Sequence, residues 1–328
     1  MQTLLDRKLD RLARSAAQAG WQLDAAPRLR GGWPWAATLT LAGPTLHGGG
    51  ILTPGGIDWS SERIILAFSP LHPRCLTIRT TGTQIITAGG ASLSQSLRFW
   101  GTVSVHLPLL PAGSEGRVPF EAHSLHVAFP GAGPDDVVSV ASLNGLVRWT
   151  PQASALTLDL HDVGLPHMGA GLTGQVIPDA ALEASIIGNT GVGSFADRVR
   201  SWRDSNGRLL LRQAALGWTD AGVDVSGGAT LDDNFEPEGS FTLRVAGADT
   251  VLDRLAQAGR VTPATASAIR AVLGLIGAGR DAHPDTGGGA SERIELPLTL
   301  RAGMLSLGQI PLMRIPPVIE SRPPPDLP

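Results

Sequence analysis

Leu156-Thr157-Leu158-Asp159-Leu160-His161 places leucine at every second position and a polar residue between each pair. A β-strand sends successive side chains to opposite faces, so this hexapeptide has one apolar face and one wet face. The same period extends outward from it. Val103, Val105, Leu107 and Leu109 alternate with small or polar residues, and so do Leu125, Val127 and Phe129. One buried and one solvated face is the antiparallel habit. Gly and Pro clusters at 53–56, 111–116 and 130–134 read as the turns between strands. Farther on, Ile294, Leu296, Leu298 and Leu300 alternate, Ala302-Gly303 turns the chain, and residues 304–310 return as a hairpin.

Helical spacing interrupts this pattern at four places. Leu4, Leu5, Leu9, Leu12, Ala13 and Ala16 share a face of a short amphipathic helix that stops at Gly20. Ser194 and Asp197 resemble a capping pair for a helix with Phe195, Val199 and Trp202 on one side. Asp249 caps a segment with Val251, Leu252 and Leu255 on one face. Thr262-Pro263 opens another, whose stripe is Ile269, Val272, Leu273 and Ile276. The expected fold is therefore mainly β and antiparallel, curved or sandwich-like, with three to four short helices packed at edges or ends. The expected division is an N-terminal helix (1–20), a β-rich lobe (21–190), a β lobe with helices (191–315) and a Pro-rich tail (316–328).

Composition narrows the function classes. Of 328 residues, 42% are hydrophobic and 17% charged, and the net charge is −3. The charged share is below the usual ~25%, and no broad basic face is on offer to nucleic acid. The single cysteine, Cys75, cannot form an internal disulfide and reads as a semi-buried strand residue. No run of apolar residues is long enough for a membrane-spanning helix.

Catalytic and metal motifs are weak. The glycines between Ile187 and Ser194 match neither the dinucleotide fingerprint nor the P-loop, so a flexible connection is expected there. His123 and His126 lie in an alternating strand, where odd spacing sends them to opposite faces. His161 and His167 flank a turn, without the carboxylate or cysteine spacing that completes a metal site. Asp232-Asp233 reads as a turn cap. No metal, no cofactor and no enzymatic activity is expected.

The alternating apolar stripes admit a closed sandwich core or an open, concave apolar face that takes a lipid-like ligand. An exposed apolar patch of that size marks a binding surface. Its candidate residues are Val103, Val105, Leu107, Leu125, Val127, Phe129, Leu156, Leu158 and Leu160, with Trp33 and Trp35 at a rim or as an anchor.

Three groups of segments together resemble a bacterial family called domain of unknown function 2125. They are the helix ending at Gly20 with Gly31-Gly32-Trp33-Pro34-Trp35; Trp218 to Gly227 with Leu231-Asp232, 239–245 and 252–259; and Leu296-Pro297-Leu298 with 303–308 and Ile310-Pro311-Leu312. The resemblance implies a cell-envelope protein on the periplasmic side of the inner membrane, usually tethered by an N-terminal helix that this chain lacks. The family brings no assigned activity or catalytic residues. The second and third groups are also similar in style to AsmA-like envelope proteins, which are linked to lipid handling. The functional expectation is a non-enzymatic envelope protein that binds or guides lipid or another apolar ligand in a β-lined groove. The alternative is a structural or assembly scaffold that pairs its sheet edges with an envelope protein partner.

Overall fold

The computed structural model describes residues 21–24, 28–32, 36–48, 57–69, 74–90, 93–108, 115–130, 136–165, 176–189, 195–250, 293–308 and 310–319. It also describes the single positions Asp10, Arg14, Ala17, Leu71, Gly191, Asp253 and Ser267. In these residues the chain forms one antiparallel sheet of 17 strands. The strands are β1 (Trp21–Asp24), β2 (Arg28–Gly31), β3 (Ala37–Ala42), β4 (Thr45–Gly48), β5 (Ile57–Phe68) and β6 (Cys75–Gly90). Then come β7 (Leu93–Pro108), β8 (Gly116–Ala128), β9 (Val137–Trp149), β10 (Ala153–Gly164), β11 (Val176–Ile187) and β12 (Arg208–Gly217). The last are β13 (Gly222–Leu231), β14 (Pro237–Ala246), β15 (Arg293–Arg301), β16 (Met304–Leu307) and β17 (Ile310–Arg314).

From β5 to β17 every strand pairs with the next one in sequence. At the other end β3 and β4 both pair with β5, one beyond the other along its length, with β2 beside β3 and β1 beside β4. The sandwich-like reading is thereby corrected. Alternation reports that one face is sheltered, but not whether a second sheet shelters it. Here each hairpin simply extends the same sheet, and β11 pairs with β12 across residue 190 without a break.

The helical expectation of three to four segments is also reduced. Among the described residues one helix is defined from end to end, α1 (Phe195–Asp204). Asp10, Arg14 and Ala17 are helical near the chain start, and Ala248–Thr250 is helical after β14. The rest of those segments, the Ser194 cap and nearly all of the segment from Thr262 lie outside the described residues.

Helix α1 explains the glycines around it. The Trp202 indole donates from Nε1 to the Ile187 carbonyl at 2.9 Å. Its ring lies on Gly207, where an added Cβ would come within 2.4 Å of three ring atoms. Gly188 and Gly207 thus form a bed for this tryptophan. Ser205 Oγ closes it by donating to the Asn189 carbonyl at 3.2 Å. One residue on from Trp202, Arg203 stacks over the Phe235 ring, 4.3 Å from its centroid. Gly207→Ala should destabilise the protein by about 1–3 kcal/mol through overpacking, read as a lower urea midpoint with an unchanged m-value.

Fully buried apolar residues gather in two places. The first cluster is Ala37, Leu39, Leu41, Ile64, Leu66 and Leu76, on β3, β5 and β6. The second is Val140, Val163 and Ile177, on β9, β10 and β11. Much of the remaining sheet is only half-buried, and in β13 every residue is so.

Candidate functional site

Residues directly opposite each other in paired strands lie on the same face. One such row starts at Leu39 and passes through Leu66, Ile78, Val105, Phe120 and Gly145. It continues through Leu158, Leu182, Ala214, Val225, Leu243 and Leu296 on β15. Every member is apolar. At Gly145 the Phe120 ring fills the gap, since a Cβ there would meet Phe120 carbons at 2.1–2.6 Å. A parallel row runs from Leu41 through Ile64, Thr80, Val103, Ala122 and Leu143 to Leu160, then on to Ile294, with Thr80 its one polar member. A third joins Val118, Val147, Leu156, Ala184 and Leu211, and ends through Phe241 and Leu298 at Leu307.

The sequence candidates fall into this apolar face. Val103, Val105 and Leu107 are on β7, and Leu156, Leu158 and Leu160 on β10. Leu107 packs against the first buried cluster, and Leu125 and Leu160 against the second. Val127 lies opposite Val138, two residues along from the Leu125–Val140 pair. Phe129 stands one residue past the end of β8 and is 50% exposed. Trp33 and Trp35 lie outside the described residues. Leu182, Ala214, Val225 and Leu243 belong to the same rows and were missed. The alanines and glycines around them weaken the alternation, and only the pairing register reveals them.

The face is uncovered unevenly. Leu39 is 2% exposed and Leu66 5%, whereas Leu216 reaches 39%, Leu209 37% and Ile186 45%. The Leu39–Leu66 end of the rows is a core; farther on, Ala122, Val245 and Leu298 are buried too, and the half-buried members between them form an apolar surface.

A seam of irregularities crosses the rows. On β7 and β8, Thr102 faces His123 but Trp100 faces His126, so β8 carries one extra residue, and Ser124 there has a φ of 50°. On β5 and β6, Arg63 faces Thr81 but Ser61 faces Gln84. On β10, Asp162 has a φ of 51°. An extra residue shifts the alternation by one position. The inward set accordingly changes from Ala122 to Leu125, from Leu143 to Val140 and from Leu160 to Val163, and the last two changes stay within one packed cluster. The expectation for His123 and His126 is overturned by the same bulge. They face Thr102 and Trp100, two apart on β7, and so share the polar face, where the His126 ring stacks on Trp100.

The seam also carries the polar exception. Gln84 Nε2 donates to Thr80 Oγ1 at 2.8 Å, and both side chains are buried. Gln84→Ala removes that donor and leaves a buried hydroxyl without it. The expected loss is about 1–3 kcal/mol, read from urea unfolding.

On the opposite face the matching row runs through Arg79, Ser104, Glu121, Asn144 and Asp159, crosses Ala181 and Ala215, and ends on Asp224, Arg244 and Glu295. Over β10 to β14 this face holds a depression of about 730 Å³ floored by Ala181, Ala215 and Gly217 and rimmed by charged residues. Its charges are mostly paired. His161 Nδ1 lies 2.7 Å from Asp179, and Arg212 3.4 Å from Glu183. Arg244 donates from Nε to Glu295 at 2.8 Å and from an Nη to Asp224 at 3.3 Å. The Glu295 bond, and then the charges of both carboxylates, hold the Arg244 guanidinium above its ordinary pKa. Arg244→Met should cost little stability in a thermal melt, because exposed ion pairs contribute weakly, and it should leave any ligand on the apolar face untouched.

Among the described residues no group of three or more His, Cys, Asp or Glu is placed to hold a metal ion. Asp232 acts as a turn cap, with Oδ1 accepting from the Asn234 and Glu236 amides at 2.8 Å each. Cys75 is half-buried in β6. No described helix is long and apolar enough to cross a membrane.

No curated protein and no solved structure matches the chain. A family model described as an uncharacterized protein conserved in bacteria, DUF2125, matches residues 1–316. With nearly the whole chain matched, the protein belongs to the DUF2125 family.

Proposed function

We propose that this protein is a non-enzymatic component of the bacterial cell envelope that binds the acyl chains of lipids on the apolar face of its sheet. The observation that carries the reading is the row from Ile78 to Leu296, apolar at every position and half-buried. Soluble surfaces do not keep contiguous apolar area of this extent without an occupant. Covering what remains exposed of a half-buried Leu-sized side chain is worth at most about 1 kcal/mol, so an acyl chain is held by the sum of many such contacts along the row. The envelope setting is supported by the similarity in style of the segments from Trp218 and from Leu296 to AsmA-like envelope proteins, an analogy alone. Native mass spectrometry of protein purified without detergent tests the reading. Adducts with the masses of membrane lipids are expected, and a bare polypeptide that also takes up no added lipid would overturn it.

A second reading, a scaffold that pairs through its sheet edge, draws on the terminal strand. Leu312 and Met313 on β17 are 53% and 55% exposed. In-cell cross-linking from Leu312 to a protein partner is the outcome that would favour it.

A further inference from the structure

The proposed acyl-chain reading leaves open how many lipids the face takes and which part of them it grips. The half-buried part of the central row crosses from Ile78 on β6 to Leu296 on β15. At about 4.8 Å between neighbouring strands, the nine spacings give a lane about 43 Å long. The hydrocarbon core of a bilayer is about 30 Å thick and contains two layers of acyl chains, so one chain reaches roughly 15 Å. The lane is close to three chain lengths. It is also wide, because on β8 to β11 the third row lies four residues along the strand from the second, about 13 Å. Two tails fit abreast.

Chemistry within the lane points the same way. From β7 to β15 the three rows contain no charged, hydroxyl or amide side chain. The polar pair Thr80 and Gln84 on this face is buried and bonded to itself, and the exposed Ser154 lies beyond the third row on β10. Among the described residues, no side chain of the three rows from β7 to β15 can hold a phosphate, an ammonium or a glycerol ester. From this we infer that the face binds two or more two-tailed lipids at once, by their tails, and leaves the headgroups in water.

The test is a titration of the full chain, stripped of co-purified lipid, with dioleoyl phosphatidylglycerol and separately with dioleoyl phosphatidylcholine, each followed by native mass spectrometry. The expected result is a series of adducts reaching at least two lipids per chain. Affinities for the anionic and zwitterionic lipids should agree within about threefold, and raising the salt should change neither. Dihexanoyl versions of the same lipids should bind far more weakly, since each buried CH₂ contributes about 0.8 kcal/mol. Saturation at a single lipid, or binding of the anionic lipid alone, overturns this inference while leaving the acyl-chain reading intact. Absence of any adduct with either lipid overturns that reading as well. A variant that blocks the middle of the lane, Ala214→Phe, gives an independent check. It adds apolar bulk without charge, and it should lower the maximum number of lipids without abolishing binding.

Discussion

Leu158→Asp should strip the protein of bound lipid while leaving its sheet intact. Leu158 sits mid-row between Gly145 on β9 and Leu182 on β11, and it is half-buried. An acyl chain crossing this position must desolvate the new carboxylate, at a cost of several kcal/mol, or withdraw from it and give up its contacts with Leu158 and the neighbouring row members together. Either route weakens binding about ten- to a hundredfold. The folded chain tolerates the charge better than the complex does, because the side chain keeps access to water when no ligand covers it. Leu158→Met preserves apolar volume and should bind within about twofold of the parent. The check is retention of a fluorescent fatty acid together with far-UV circular dichroism. Lost retention with an unchanged spectrum is the expected pair of results.

The second large effect lies at the other end of the same row. Leu39→Ala should destabilise the protein by about 2–5 kcal/mol, because Leu39 is 2% exposed and packed among Leu41, Ile64 and Leu66. Leu243→Ala, on the same row but half-buried, should cost much less, roughly 1 kcal/mol, since water already reaches the side chain. The contrast separates an end that is a core from a lane that is a surface. Urea unfolding of both variants measures it, and equal losses would mean that the whole row is core.

The strands were legible in the sequence because their inward residues repeat at period two, as in Leu156, Leu158 and Leu160. What covers those residues was not legible. A strand in a sandwich and a strand in a single open sheet carry the same alternation, so the sandwich-like expectation gave way to one continuous meander. The seam was also hidden. Ser124 and Asp162 adopt left-handed backbone, but neither residue type announces a bulge by itself. Gly82 and Gly101, both at positive φ within β6 and β7, were the available signal, since glycine inside a strand pattern often marks a bulge. Missing that shift placed His123 and His126 on opposite faces. The short strands β1 and β2, four residues each, show too few alternations to stand out from loop.

Sidedness is the central claim: one surface of the sheet meets hydrocarbon and the other meets water. Photo-cross-linking with a lipid that carries a diazirine in its acyl chain, followed by peptide mapping to single residues, examines it most directly. Labels should concentrate on inward residues such as Val105, Leu182, Val225 and Leu243, and should spare Arg79, Glu121, Asn144 and Asp159. Labels on the charged surface around Asp159 and Arg212, or spread evenly over both surfaces, would contradict the account.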